Sequence, residues 1–422
     1  GFRSKASVYF FIFIVSQPVI DVLTGIMTRH VHTMITPGAF LRGLLLLAIL
    51  PYIWKELRTR PLLRGMFLAS MLAIICTASI SLLLKQPFLW KQEGIFYMKV
   101  VFYVASLFFI ITGLQKHFLS RTQLRQAVTI MSLIIGGSYV LAYVTKTSFP
   151  SYPYGEMGFS GWFFSANELS VIVILTLASM LAITRERPTA LSYVALFLLT
   201  GVAMFIGTKT AYIGVGFLLI LTLIDVMISY PSRKVSPSQG IMYLLIASIF
   251  FVSFPFVPMM ENRVMHVEQV HMESPLHVER LGTTSSEHAR MMLSSRDLYV
   301  SEIAQDFYHA PLLRKLFGLG LAGDYGRYPK MIEMDFFELF FSFGIIGSFV
   351  LLLPLLTVVG FLFTRISLAR KNWALLVSLS LSLLVAASAG HVLFAPSVMS
   401  YVVITILLCH EKDRYIPHTP PT

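Results

Sequence analysis

Two basic residues, Lys209 and Arg296, lie where helices are predicted to begin, and such positions favour bound anions. Lys209 belongs to GTKTAY (207–212), among hydroxyl side chains and before an apolar run. Arg296 belongs to SSRD (294–297), which resembles an N-terminal capping box with a shorter acid. Free backbone N–H groups and the positive end of the helix dipole attract anions there. Because a guanidinium adds two parallel donors, this combination suits a diphosphate.

Both segments also have a purely structural interpretation. The first is equally a hairpin turn with a lysine anchored at a membrane interface. The second is equally an amphipathic helix that rests on a membrane with Arg296 in solvent. Its apolar residues recur with helical spacing until Pro311: Leu298, Val300, Ile303 and Phe307.

Carboxylates suited to proton transfer occur in EMD (333–335), just before a long apolar run. In a partly dry cavity the pKa of Glu333 or Asp335 can be tuned for that task. Acidic residues are also common in the first turn of a helix, so a purely structural role at a helix start is the alternative. The preceding glycine-rich FGLGLAG (317–323) permits tight turns and close approach. It lacks the Gly-Lys-Ser/Thr ending of a nucleotide phosphate loop.

The composition indicates what must position these residues. Of the 422 residues, 56% are hydrophobic and 13% charged, against about 25% charged in a soluble domain. Apolar runs of about 20 residues recur along the chain, which predicts an all-α polytopic membrane protein. We predict about twelve spans, near residues 7–27, 38–54, 65–84, 95–114, 126–145, 162–183, 189–207, 211–229, 240–258, 336–363, 373–389 and 395–409.

The distribution of basic residues predicts the orientation. One alternate set of connections and termini holds 18 lysines and arginines. The short loops of the other set hold only five: Arg29, Lys85, Lys91, Lys146 and Lys209. The positive-inside rule then places both termini in the cytoplasm and explains the net charge of +12 better than nucleic-acid binding does. The first apolar run lacks a small-residue cleavage site and is interpreted as a retained helix.

The spans divide the chain into three parts. Helices 1 to 9 occupy 1–258, a non-cytoplasmic loop with an amphipathic helix occupies 259–335, and the last three helices with a short tail occupy 336–422. The loop is too long for a plain connector. Its five histidines lack metal-ligand spacing, and the two cysteines, Cys76 and Cys409, lie in apolar runs. We therefore predict neither a metal site nor a disulfide.

Charged residues inside the predicted spans require an explanation, since placing each one in the bilayer costs at least about 2.5–3.5 kcal/mol of free energy on insertion scales. Snorkelling to the interface explains any one of them. Six, however, fall near the outer end of six helices: Asp21, Arg42, Lys99, Glu168, Lys209 and Glu338. This predicts a polar cavity open to the outside, with only Asp225 toward the cytoplasm. Transporters place such charge near the midplane, so the shallow position favours an enzyme.

Five motifs in order resemble the O-antigen ligase and polymerase family, whose firmicute branch includes proteins of teichuronic acid and exopolysaccharide assembly. The motifs are GFSGWFFSANELS (158–170), FIGTKTAYIGVG (205–216), SSRDLYVSEIAQDF (294–307), LFGLGLAGD (316–324) and MIEMDFFELFFSFGIIG (331–347). The resemblance implies a metal-independent glycosyltransferase with a GT-C-like fold in the bacterial inner membrane. It implies an undecaprenyl-diphosphate-linked glycan donor, a glycan acceptor, surrounding membrane lipid, and neither cofactor nor nucleic acid.

The resemblance also implies residue roles. Lys209 and Arg296 match the family's diphosphate-binding residues, and Glu333 or Asp335 is expected to take the acceptor proton. Supporting roles are expected for Arg42, Lys99, Glu168, Arg290 and Arg327. Many members have a histidine before span ten where this chain has EMD (333–335). That departure points to polymerase-like or branch-specific chemistry, and we expect a cell-surface polysaccharide polymerase.

Two other functions stay open at this point. A ligase would attach the finished glycan to a terminal acceptor with the same donor chemistry. A flippase or transporter of the lipid-linked unit would need a deep cavity reached from both sides.

Overall fold

The computed structural model describes residues 5–30, 36–113, 119–152, 157–231, 235–262, 296–325, 329–364 and 366–411. Of the residues that the structure describes, 82% are helical, which confirms the all-α prediction. The helices of the first half are α1 (Lys5–His30), α2 (Pro37–Leu57), α3 (Pro61–Leu84), α4 (Trp90–Gly113), α5 (Arg121–Val144), α6 (Ala166–Glu186) and α7 (Ala190–Phe205). Those of the second half are α8 (Lys209–Ser229), α9 (Pro237–Val252), α10 (Arg296–His309), α11 (Leu312–Phe317), α12 (Asp335–Thr364), α13 (Ile366–Ser388) and α14 (Pro396–Glu411).

Eight of these helices are long and apolar enough to cross a bilayer: α1 to α6, α8 and α12. They confirm a polytopic membrane protein. Four shorter apolar helices, α7, α9, α14 and the part of α13 from Asn372 to Ser388, coincide with the other predicted spans. The total of twelve spans stays a prediction.

Short hydroxyl side chains explain where six of the helices begin. In each, the side-chain oxygen accepts a hydrogen bond from a backbone N–H of the first turn, which would otherwise lack a partner. These N-caps are Thr36, Ser120, Ser165, Thr189, Thr208 and Ser236. Two of them, Ser165 and Thr208, belong to the motifs that the sequence singled out.

Helix α6 begins at Ala166, four residues later than predicted. The preceding residues form a short antiparallel hairpin, in which β1 (Phe149–Pro150) pairs with β2 (Phe159–Gly161). The hydroxyl of Tyr139 donates to the carbonyl of Phe159 at 2.7 Å and holds the hairpin on α5. Helix α6 is the most buried of the eight long helices and packs against α5, α7, α8, α13 and α14. Its first turn therefore starts inside the bundle.

The glycine-rich segment 317–323 inserts between α3, α4 and α12. Helix α12 is interrupted at Gly344, whose φ of 68° is not helical. The interruption leaves two carbonyls available to the inserted segment: Leu319 N donates to Phe341 O at 2.9 Å, and Gly320 N donates to Ser342 O at 3.0 Å. Backbone groups of both segments are thereby satisfied inside the bundle, as a low-dielectric environment requires.

A buried ion pair fixes the same segment. Nζ of Lys85, at the end of α3, lies 2.5 Å from the carboxylate of Glu93 and donates to Leu321 O at 2.8 Å. Both charged side chains are fully buried, and the Tyr325 hydroxyl donates to the same carboxylate oxygen of Glu93 at 2.5 Å. Because a buried charge is tolerated only with partners, this network holds the connection 311–325 onto α3 and α4.

The predicted amphipathic helix is present as α10. It ends at His309 before Pro311, as expected, and Ile303 is buried with Val300 and Phe307 packed around it. This cluster also contains Ile332 from the segment that leads into α12. The apolar face of α10 is therefore covered by protein. The predicted cap at 294–295 lies outside the described residues.

Gly318 tests the insertion of the glycine-rich segment. Its φ is +90°, and an added Cβ would lie 2.1 Å from Ser342 O. We expect Gly318→Ala to destabilise the protein by at least about 2 kcal/mol, measured as a lower Tm in detergent. Gly360→Ala is the matched control, since its Cβ would meet nothing within 4 Å. Equal Tm values for the two variants would contradict the insertion.

Candidate active site at the loop-bearing end

Several connections meet at one end of the bundle, called the loop-bearing end. It includes 85–89, which contacts Leu321, and 389–395, which contacts the start of α12. A cavity of about 1020 Å³ opens here between α1, α2, α4, α6 and the start of α14. Its walls are mostly apolar. Its charged and hydroxyl-bearing lining residues are Asp21, Thr24, Thr28, Thr36, Arg42, Lys91, Lys99, Ser165, Glu168 and Ser397.

The cavity brings together four of the charged residues that the sequence placed inside spans. Asp21 comes from α1, Arg42 from α2, Lys99 from α4 and Glu168 from α6. The other two of the six charged residues near the outer helix ends, Lys209 and Glu338, do not line this cavity. Glu338 is buried on α12, where it accepts hydrogen bonds from Ile332 N and Ser342 Oγ.

Asp21 and Arg42 form a buried ion pair at the cavity wall. Nη2 of Arg42 lies 2.5 Å from Oδ1 of Asp21 and also donates to Gln17 Oε1 at 3.2 Å. The Tyr401 hydroxyl donates to the other carboxylate oxygen at 3.2 Å. Arg42 is only 5% exposed, and within the described residues its Nε has no hydrogen-bond partner. The pair is close to neutral, yet one buried N–H donor remains unused.

Glu168 presents a carboxylate from the first turn of α6. Its backbone N–H donates to the Ser165 cap at 3.3 Å, and its Oε2 accepts from Ser397 Oγ at 2.5 Å. Its other oxygen accepts no hydrogen bond from the part of the chain that the structure describes. The side chain is therefore oriented by α14 while half of its acceptor capacity is left for a ligand.

Helix α4 supplies two cations to the cavity wall, an exposed Lys91 and a half-buried Lys99. Within the described ranges neither Lys91 nor Lys99 has a carboxylate at ion-pair distance. Nζ of Lys99 has a single contact there, Met331 Sδ at 3.9 Å. Lys91 lies eight residues earlier, about 12 Å along the helix axis. Because an ammonium in a mostly apolar cavity is costly without a partner, this wall suits an anion.

A histidine and a carboxylate meet beside this cavity. Nδ1 of His391, in the connection between α13 and α14, lies 3.2 Å from Oδ1 of Asp335. The other oxygen of Asp335 accepts from Val392 N and Leu393 N, both at 2.7 Å. Since a carboxylate only accepts, it fixes the imidazole proton on Nδ1 and leaves Nε2 as the basic atom.

The surroundings adjust the basicity of His391. Burial lowers its pKa, but the hydrogen bond to Asp335 and the charge of that carboxylate outweigh it, so the pKa is raised above 6.5. The positive charge of Lys99 acts in the lowering direction, which places the imidazole near the cation wall. The His391 side chain is 22% exposed. In its neutral form the imidazole can accept a proton from a hydroxyl group at Nε2.

The predicted catalytic carboxylates occupy different environments. Asp335 is fully buried, and both its oxygens are engaged by the connection 391–393. It is placed to orient His391 and has no oxygen directed to the cavity. Glu333 is half-buried in the segment that leads into α12.

Of the two predicted diphosphate residues, Lys209 does not line the cavity. Lys209 is the first residue of α8, capped by Thr208, and its side chain is exposed. Arg296 is the first residue of α10, and its side chain lies outside the described part of the protein. Arg290 and Arg327 also lie outside the described residues.

Sequence reasoning missed His391, Lys91 and Ser397. The signal for His391 was its position in AGHVLFAP (389–396), a short connection on the predicted outer side. The positive-inside rule depends only on the lysines and arginines of such connections, so it carries no information about a histidine there. Its partner, Asp335, is 56 residues away in the chain, and spacing within one helix cannot reveal such a pair.

The comparisons with known proteins agree with this architecture. A family model described as O-antigen ligase like membrane protein matches residues 3–410, nearly the whole chain. The match includes every charged residue of the cavity and the pair beside it. No protein in the search of curated sequences matches the chain.

The raised pKa of His391 predicts how stability depends on pH. Its interaction with Asp335 stabilises the fold fully below about pH 6.5, where histidine in the unfolded chain is protonated. This contribution is lost as the pH rises through the higher pKa of the folded state. We therefore expect His391→Gln to lower the Tm more at pH 5.5 than at pH 9. His309→Gln, at an exposed position on α10, is the control, and a pH-independent effect of His391→Gln would disprove the coupling.

Proposed function

The chain belongs to the O-antigen ligase like family of membrane proteins, and we propose on that basis that it transfers a glycan from undecaprenyl diphosphate to an acceptor sugar hydroxyl. Family membership implies a membrane glycosyltransferase-like enzyme that takes a lipid-linked glycan. The donor lipid, the residues that act on it and the polymerase activity are the proposal.

One observation carries the proposal: Lys91 and Lys99 of α4 line a mostly apolar cavity, and neither has a carboxylate at ion-pair distance in the part of the chain that the structure describes. The lining residues of α2 and α4 include Leu44, Leu47 and Ile95, which also have exposed surface toward the surrounding lipid. An isoprenoid chain fits such apolar walls, and a diphosphate fits Lys91 and Lys99. A lipid diphosphate combines both chemistries in one molecule, and a free sugar does not.

The chemistry needs a proton acceptor, and His391 has the geometry for it. The acceptor oxygen forms a bond to the anomeric carbon while the bond from that carbon to the diphosphate oxygen breaks. The diphosphate leaves with the electron pair, and the hydroxyl proton goes to Nε2 of His391. Asp335 keeps Nδ1 protonated and stabilises the imidazolium that forms. Glu333 is the alternative proton acceptor that the sequence predicts.

Stabilising the leaving diphosphate is the larger effect in this scheme. Preorganised charge in a site that excludes water usually contributes most of the rate enhancement. Lys99 is buried deeper than Lys91 and acts on the oxygen that develops charge. Lys209 and Arg296 remain proposed as further diphosphate ligands at the same end of the bundle.

We propose that the acceptor is the growing glycan, so that the enzyme is a cell-surface polysaccharide polymerase. The support is the EMD segment (333–335), where many family members have a histidine. A ligase would use the same donor site. A flippase would need a cavity reached from both ends, whereas the pocket around Arg121 and Glu186 at the opposite end holds only about 10 Å³.

The proposed orientation follows from the charges of the connections. Both termini and the basic connections face the cytoplasm, and the loop-bearing end faces outward across the bacterial cell membrane. A lipid-linked donor in the outer leaflet then reaches the cavity between α2 and α4 from the side. The acceptor enters from the aqueous side, past His391.

Lys99→Met tests the diphosphate assignment. With purified protein and synthetic undecaprenyl-diphosphate oligosaccharides, we expect the variant to lose about 100-fold or more in kcat/KM. Lys55→Met, an exposed lysine in the last turn of α2, removes the same charge at the other end. Products that grow by whole repeat units support the polymerase, and a single transfer to another acceptor supports the ligase. Undiminished transfer by Lys99→Met would remove this lysine from the site.

Lys209→Ala and Arg296→Ala test the residues that the sequence selected. If each contributes a charge-assisted contact to the diphosphate, each variant loses about 10-fold in transfer. Cells that lack the native protein and express the variants then make shorter glycans. A normal glycan length in both strains would exclude both residues from the mechanism.

A further inference from the structure

A separate apolar groove lies between α5, α7 and α9, and the transfer described above does not use it. It encloses about 220 Å³ and extends along α7 from Phe197 to Phe205, which is about 12 Å of helix. We propose that this groove binds the isoprenoid chain of a second polyprenyl diphosphate, the one that carries the acceptor glycan. The inference rests on the proposed function and specifies its acceptor.

The walls of the groove suit a hydrocarbon chain. Two of its polar side chains are already engaged by the protein: Thr200 Oγ1 donates to Leu196 O at 2.7 Å, and the Tyr139 hydroxyl donates to Phe159 O at 2.7 Å. The rings of Tyr143 and Phe205 stack with centroids 6.3 Å apart in the last turns of α5 and α7. The rest of the lining is almost entirely apolar, so burial of apolar surface is the interaction that the groove offers.

The depth of the groove depends on Gly201. This residue lines the groove, and a Cβ added to it would meet nothing within 4 Å. The same two helices touch closely one turn farther from the loop-bearing end, where a Cβ on Gly136 would lie 2.5 Å from Leu198 Cβ. The space at Gly201 is therefore a local feature between helices that otherwise pack tightly.

Two lysines lie at the end of the groove that faces the loops. The backbone N–H of Lys146 donates to Tyr143 O at 3.0 Å, and Lys209 follows Phe205 by four residues, at most about 14 Å of chain. Both side chains are exposed, and neither has a carboxylate at ion-pair distance among the described residues. A lipid whose chain fills the groove would have its head group close to two cations, which suits a diphosphate.

The turn that carries Lys209 is held by buried partners. Asn262 is only 5% exposed, and its Nδ2 donates to Gly207 O at 3.3 Å. The hydroxyls of Thr208 and Ser170 are hydrogen-bonded at 2.6 Å, and both side chains are buried. A lysine that only anchors a helix in the head-group region does not require a fixed turn, whereas a cation that binds a particular ligand does.

The hairpin connects the groove with the reaction cavity. Phe159 of β2 packs against Tyr143 of the groove with ring centroids 5.6 Å apart, and Phe163, four residues later, lines the cavity. Those four residues span at most about 14 Å. An oligosaccharide whose lipid is held in the groove can therefore present a hydroxyl to a donor in the cavity.

The chemistry of polymerisation explains why the acceptor carries its own lipid. Only the bond between the donor glycan and its diphosphate breaks, and the new glycosidic bond joins that glycan to the acceptor hydroxyl. The lengthened glycan stays on the acceptor's diphosphate and can be the donor in the next round. A lipid-free acceptor would yield a product without a diphosphate. Apolar walls beside two lysines occur twice at one end of the bundle, as a reaction between two lipid-linked molecules requires.

Two blocked substrates separate the groove from the cavity. The donor is an undecaprenyl-diphosphate oligosaccharide in which hydrogen replaces the acceptor hydroxyl, so that it can only donate. The acceptor is the same oligosaccharide on undecaprenyl diphosphate with a methylene group in place of the anomeric oxygen, so that it can only accept. The methyl glycoside of this oligosaccharide is the lipid-free acceptor. Transfer is measured with purified protein in phosphatidylcholine nanodiscs.

Gly201→Leu fills the groove without meeting another side chain at its Cβ. We expect it to raise the KM of the lipid-linked acceptor about 10-fold, because apolar contacts of the chain are lost. The KM of the donor stays within about 2-fold, and transfer to the lipid-free acceptor is unchanged. Gly137→Leu is the matched control, since this glycine of α5 also has open space at its Cβ and does not line the groove.

The double variant Lys146→Met with Lys209→Met tests the head-group end in the same assay. We expect the same selective rise, about 10-fold or more, in the KM of the lipid-linked acceptor. Phosphatidylglycerol, the other source of an anionic lipid, is added to the nanodiscs as a competitor. If it raises the KM of the lipid-linked acceptor as strongly as an equal amount of undecaprenyl diphosphate does, the groove is a general phospholipid site and the inference is wrong.

The remaining outcomes separate this inference from the proposed function. If wild-type protein uses both acceptors with equal KM, or if Gly201→Leu impairs both equally, the second lipid site is disproved while the glycosyl transfer stands. If wild-type protein transfers to neither acceptor, the proposed function fails and the inference fails with it. A selective effect of Gly201→Leu on the lipid-linked acceptor, with a Tm equal to that of Gly137→Leu, supports the site.

Discussion

A charged group inside a membrane bundle needs a partner from the protein or from a ligand, and the arrangement of the loop-bearing end follows from this requirement. Lys85 and one carboxylate oxygen of Glu93 pair deep between α3 and α4. Asp21 and Arg42 do so at the cavity wall, except for one N–H of the arginine. Lys99 and one oxygen of Glu168 keep unused capacity within the described residues, and both line the same cavity. Lys99 and Glu168 therefore lie where a substrate would complete them.

The pairs that are satisfied hold the unsatisfied groups in place. The break in α12 at Gly344 lets the segment 317–323 enter the bundle, and Lys85 fixes that segment through Leu321 O. The segment in turn bonds to α12 one turn from Glu338, and α12 begins with the carboxylate that holds His391. The glycine-rich loop and the imidazole are thus connected through covalent and hydrogen-bonded neighbours. Polar groups on rigid elements with fixed partners are the ones that can be preorganised.

Much of the fold follows from local sequence, and much of the site does not. Apolar runs and hydroxyl caps fix the helices, since both depend on neighbouring residues. Arg42 and Glu168 could be selected because charge in an apolar run is costly wherever it lies. Lys209 shows the limit of this reasoning, because a charge near a helix start gives no information about which face points into the bundle. His391 and Asp335 are 56 residues apart, and only the packing of α12 against the connection 389–395 brings them together.

The pair of His391 and Asp335 changes how the EMD segment (333–335), which departs from the family pattern, is interpreted. The EMD segment (333–335) lacks a histidine, which by itself argues for a different proton acceptor. In the folded chain, however, the aspartate of that segment binds the imidazole of His391 through Oδ1, and two backbone N–H groups fix its other oxygen. His391, a histidine from another segment, therefore lies next to the position where many family members carry their own histidine. The departure therefore concerns which segment carries the imidazole, and in this chain the connection 389–395 supplies it.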